Sequence, residues 1–73
     1  SWMSIKPGRY EHYKWQFYHV LDVARHSETE EELVVYRTCY GDHSLWVRPL
    51  EMFTSEVETD DGPKPRFRYI GSD

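Results

Sequence analysis

The 73-residue chain carries three Trp, six Tyr and three Phe under a mean hydropathy of −0.83, which excludes a disordered segment and leaves room for one small domain with a thin aromatic core. Its single cysteine, Cys39, excludes an internal disulfide, and a disulfide-free domain of this size points to a reducing compartment, here the cytoplasm. The net charge of −4 is uneven: residues 28–32 and 56–61 hold eight of the thirteen acids, leaving five against all nine Lys and Arg, so the rest of the chain is mildly basic.

One soluble domain is expected over residues 5–70, with 1–4 and 71–73 as flexible termini and Ser1-Trp2 as an addition before Met3. No apolar run approaches a membrane span or the core of a signal peptide. Pro7-Gly8 is a turn signal, and Arg9 to Tyr13 alternates weakly, as a short first strand does. Gln16 to His26 is rich in aromatic and β-branched residues and too long to stay flat, which predicts a bend near Asp22. Ser27 to Glu32 reads as an acidic loop. Leu33 to Tyr40 and Ser44 to Arg48 flank Gly41-Asp42, a tight-hairpin signature. Pro49 ends that ladder for want of an N–H. Leu50 to Phe53 reads as one helical or 3₁₀ turn with Leu50 and Phe53 facing the same way. Val57 and Phe67 lie on either side of a second hairpin signal, Asp61-Gly62. In Arg66 to Ile70 the alternation predicts Phe67 and Tyr69 buried, with Arg66 and Arg68 outward. Five or six short strands in so short a chain predict an all-β, closed small barrel, since closure removes exposed edges.

Laid out in this way, several blocks resemble one family. They are Gly8-Arg9-Tyr10-Glu11-His12-Tyr13-Lys14, Tyr18 with Val20-Leu21, Val23-Ala24-Arg25-His26-Ser27-Glu28-Thr29, and Glu32-Leu33-Val34-Val35-Tyr36-Arg37. Tyr40-Gly41-Asp42, Leu45-Trp46-Val47-Arg48-Pro49-Leu50-Glu51-Met52-Phe53 and Pro65-Arg66-Phe67 continue the match, which runs from about Gly8 to Ile70. The chain thus resembles bacterial domain-of-unknown-function family 1653. The resemblance implies a compact SH3-like β-barrel and no assigned activity. It also leads one to expect glycine where this chain has Trp15 and Asp22.

Candidate chemistry is sparse. His12, His19, His26 and His43 are spaced seven, seven and seventeen apart, without the short paired spacing of zinc ligands, so no metal and no cofactor are expected. His26-Ser27-Glu28, with His12 as partner, has the residue types of a small hydrolase or metal enzyme, and Cys39 with a histidine those of a nucleophile pair. Against this, Ser27 and Glu28 suit turn capping, Cys39 suits a small core position, and a barrel this size fills its interior with side chains. Catalysis is therefore the minor reading, and no catalytic residue is assigned.

The stronger signal is the inventory of rings and Arg, which exceeds one small core. Exposed Tyr and Trp beside Arg mark interfaces, and they also suit stacking on single-stranded RNA or a nucleotide. The favoured reading is a non-catalytic interaction module for a protein segment. Its binding face is expected from Tyr13, Trp46, Arg25 and Arg48, with His12, His26 and Glu28 as orienting groups. That face falls where the end of the second strand meets the segment after the fourth. The plain alternative is that Arg48 pairs with Glu28 or Glu51 and ties down a loop.

Overall fold

The computed structural model describes residues 5–72. Strands β1 (Gly8–His12), β2 (Phe17–Arg25), β3 (Glu32–Thr38) and β4 (Leu45–Pro49) form an antiparallel meander. A helical turn α1 (Leu50–Phe53) comes next, then a hairpin of β5 (Glu56–Thr59) and β6 (Gly62–Pro65). Strand β7 (Phe67–Gly71) then returns to pair with β1, giving a five-stranded sheet of order β4-β3-β2-β1-β7 and a separate two-stranded one. Of the expected flexible termini, residues 1–4 and Asp73 lie outside the described residues, whereas Gly71 belongs to β7 and pairs with Arg9 of β1.

The expected closed barrel is not formed. Strands β4 and β7 are the two edges of an open sheet, and no ladder joins them. The reason lies in the segment after β4. Pro49 ends the strand, and α1 inserts Phe53, 2% exposed, against the core-side face of the sheet. Its ring stacks on Phe67 of β7 at 4.0 Å and meets Tyr10 of β1 edge-on at 5.2 Å, with Tyr36 of β3 at 6.5 Å. One buried ring thus covers the side that hydrogen bonds leave open, and burial of that size is worth about 1.5–3 kcal/mol. Pro63 and Pro65 add to this, since two prolines in β6 leave too few donors to extend its hairpin into the larger sheet.

Several expectations hold in detail. Strand β2 bends at a bulge between Val20 and Asp22, where Leu21 has no partner, so one nine-residue strand can serve a curved sheet. Gly41-Asp42 lies in the β3–β4 connection, but this is a longer loop over residues 39–44 and not the expected tight turn, with the Asp42 carboxylate accepting the Ser44 N–H at 3.0 Å. Asp61-Gly62 marks a hairpin, but β5 pairs with Gly62–Pro65 and not with the Phe67 strand. In β7, Phe67 is buried and Arg68 points outward. Tyr69 leans edge-on against Tyr10 but sits at the rim, 37% exposed, and Arg66 is half-buried, so the alternation gave the faces but not the depth.

Candidate functional site

Directly opposed residues of an antiparallel pair share a face, so the register places side chains without ambiguity. Arg48 opposes Val34 and Trp46 opposes Tyr36, which puts Arg48 and Trp46 on the face that carries the buried Val34 and Tyr36. His12 opposes Phe67 across β1 and β7, on the same face as Tyr10 two residues earlier.

The resulting cluster is aromatic and cationic. The Arg48 guanidinium lies 5.1 Å from the centroid of the Phe67 ring, and its Nε–H donates to the Tyr36 hydroxyl at 3.1 Å. The His12 ring meets Phe67 edge-on at 4.8 Å, Tyr13 at 4.6 Å and Tyr18 at 6.2 Å. Tyr18 touches Tyr36 edge-on at 5.2 Å, and its hydroxyl bonds that of Tyr40 at 3.0 Å. Burial, and the positive charges of Arg48, Arg66 and Lys14, hold the His12 imidazolium below its ordinary range. Burial likewise pushes the Tyr18 phenol up, aided by its bond to Tyr40. At neutral pH the cluster therefore offers a neutral imidazole, neutral hydroxyls and permanent guanidinium charge.

The structure divides the residues singled out from sequence into two groups. His12 and Arg48 meet at Phe67, with Tyr13 against His12 and with Trp46, 56% exposed, on the same strand face as Arg48. Arg25, His26 and Glu28 make their contacts within the β2–β3 connection. There the His26 Nδ1 accepts the N–H groups of Glu28 (3.1 Å) and Thr29 (3.3 Å), and Arg25 meets Glu30 at 3.7 Å. The imidazole is thus the turn's cap, a role expected of Ser27 and Glu28. The register still brings that connection to the end of the sheet where β4 finishes, since Arg25 opposes Glu32 and Leu33 opposes Pro49. Arg48 pairs with neither Glu28 nor Glu51. Its described partners are a hydroxyl, the Met52 thioether at 3.9 Å and a ring.

Sequence reasoning missed Arg66 and the Tyr18–Tyr40 hydroxyl pair. Arg66 falls between β6 and β7 rather than on the last strand, so the alternation that set it outward does not carry to its half-buried position. Tyr40 lies in a connection, where no periodicity applies. Among the described residues no group of three or more His, Cys, Asp or Glu converges as metal ligands would. Cys39 is half-buried with its N–H on the Phe17 carbonyl at 3.0 Å.

These features define a small all-β domain, an open sheet plugged by one helical turn, with a ring-lined face that carries Arg48 and His12. The model of a family described as proteins of unknown function, DUF1653, matches residues 8–69, and the chain belongs to that family. It is similar to the crystal structure of a DUF1653 protein from Bordetella bronchiseptica, with 39% identity, a TM-score of 0.87, and 94% of this chain and 91% of that one covered. Comparison with curated proteins gives no match.

Proposed function

We propose that the domain is a non-catalytic interaction module of SH3-like arrangement, acting in the bacterial cytoplasm, which binds a protein segment on the face of His12, Tyr13, Trp46 and Arg48. The strand order supports the SH3-like reading: β1 lies between β2 and the last strand, and a single helical turn comes directly after β4. Arg25, His26 and Glu28 stand where β4 finishes, as a second contact beyond Arg48, at the opposite end of β2 from the turn that carries His12 and Tyr13.

The observation that carries the reading is Arg48. A guanidinium held by a ring and a phenol, with none of its described contacts to a carboxylate, keeps donors available beside an exposed indole. Arg, Trp and Tyr gathered in this way are the residues that dominate interface energetics.

Selection from a displayed random-peptide library tests it. The wild type is expected to enrich binders, and Trp46→Ala and Arg48→Ala to weaken them about tenfold, the scale of an interface hot spot. Trp46 is exposed enough that its removal leaves the melting temperature nearly unchanged. Arg48→Ala that lowers binding only in proportion to lost stability returns Arg48 to a structural role. Preferential binding of single-stranded RNA with steep salt dependence replaces the protein segment by a nucleic acid. The chain's charge of −4 counts against that outcome.

A further inference from the structure

The arginines on this face are held by neutral groups. Neither Arg48 nor Arg66 takes part in the ion pairs Arg25–Glu30, Lys64–Asp61 and Arg68–Glu11, the last of which borders the same shallow pocket as His12 and Tyr13. On the face itself, neutral groups do the holding. Arg48 gives its Nε–H to the Tyr36 hydroxyl and Nη1 to the Met52 sulfur. Arg66 gives its Nε–H to the Ser55 hydroxyl at 3.1 Å, and that hydroxyl in turn donates to the Met52 carbonyl at 2.6 Å. Both guanidiniums are therefore tied to the segment 52–55, Arg48 through the Met52 sulfur and Arg66 through the Ser55 hydroxyl, while Tyr36 of β3 holds Arg48 a second time. Lys14 rests over the Tyr13 ring at 5.7 Å.

This arrangement fixes direction without cancelling charge. A guanidinium oriented by a hydroxyl keeps its remaining N–H donors, and those donors fit a carboxylate in fork geometry. The Tyr36 oxygen accepts from Arg48, so its own proton is left to donate.

We propose that the segment bound here is acidic, with carboxylates on Arg48 and Arg66 and a neighbouring apolar side chain against Trp46. The inference rests on the interaction-module reading and supplies its partner's chemistry. Charge complementarity favours a short acidic segment over a nucleic acid strand. The acidic stretches 28–32 and 56–61 repel an extended polyanion, whereas a segment with one or two carboxylates need engage only the cationic face.

Arginine Nε–Hε resonances of the full chain, followed by NMR, test the proposal. The probes are a capped octapeptide with two glutamates flanking a leucine, the same peptide with both glutamates replaced by glutamine, and a hexauridylate. The glutamate peptide is expected to shift the Arg48 and Arg66 resonances saturably and to bind about tenfold more tightly than the glutamine peptide. Arg66→Gln is expected to lose most of that difference, with unchanged amide spectra elsewhere confirming the fold. Equal binding of the two peptides overturns the acidic assignment while leaving a peptide-binding face. Tighter binding of hexauridylate overturns both. If library selection yields binders with no excess of Asp or Glu, the acidic assignment falls and the module reading stands.

Discussion

His12 is the residue whose charge state is most informative. Burial and three nearby cations lower its pKa below the ordinary 6.5, so the unfolded chain takes up a proton before the folded one does. Stability is thus full above the unfolded value, falls as the pH drops from about 6.5 toward the folded pKa, and levels off below it. The imidazole resonances are expected to titrate below 6.5, and acidification from neutral pH to be milder for the melting temperature of His12→Gln than for the wild type. A bound carboxylate reverses the electrostatics. In the presence of the glutamate peptide the His12 pKa is expected to rise. Gly8 makes a second residue-scale case. Its φ of +138° disfavours side chains, and a Cβ there falls 2.5 Å from the Gly71 carbonyl oxygen in the neighbouring strand. Gly8→Ala is expected to cost about 1–3 kcal/mol in denaturant titrations, because β1 and β7 must move apart to admit it. Phe67→Ala removes the ring that Phe53, His12, Tyr18 and Arg48 all touch, and is expected to cost about 3–5 kcal/mol, enough to leave the chain largely unfolded by circular dichroism.

At the scale of elements, the β1–β2 turn carries a measurable strain. Trp15 adopts a φ of +73° with 80% of its surface exposed, so it bears the left-handed penalty and recovers little by burial. Trp15→Gly is expected to raise stability by about 1 kcal/mol in chemical denaturation. This gives a physical reason for the glycine that the family resemblance places there, whereas Asp22 adjoins the β2 bulge and shows no positive φ. Most elements were legible because their signals are local. Alternation, the Gly41-Asp42 and Asp61-Gly62 turns, and the missing N–H of Pro49 each act within a few residues. The partners of β5 and β7 were not legible. A hairpin signal says that the chain reverses, but which later segment completes the ladder depends on Pro63 and Pro65 and on where Phe53 lodges. The candidate site divided on the same ground. His12 and Arg48 meet through Phe67, more than fifty residues from His12 in the chain, a contact that no spacing rule reveals.

For the whole molecule, the open sheet sets the hazards. Strand β4 is an edge bearing Leu45, Trp46 and Val47, each more than half exposed, beside the more shielded Val35. Edges of that kind template pairing with other chains unless a charge interrupts them. Val47→Lys, on the face away from Arg48, is expected to slow aggregation on heating, read by light scattering, while leaving peptide binding unchanged. None of the molecule's described ion pairs involves the buried core, so high salt is expected to alter its stability little.

The distribution of rings has a practical corollary for anyone tracking this protein in solution. The core chromophores are tyrosines and phenylalanines, while Trp15 and Trp46 face solvent. Indole emission from these two positions already resembles that of water-exposed tryptophan in the native state, so denaturation changes their colour little. Near-ultraviolet dichroism of the packed Tyr10, Tyr18 and Tyr36 is the optical signal of folding. Quenching or a blue shift at Trp46 is instead the signature of occupancy, which lets one cuvette separate a chain that has bound from a chain that has unfolded.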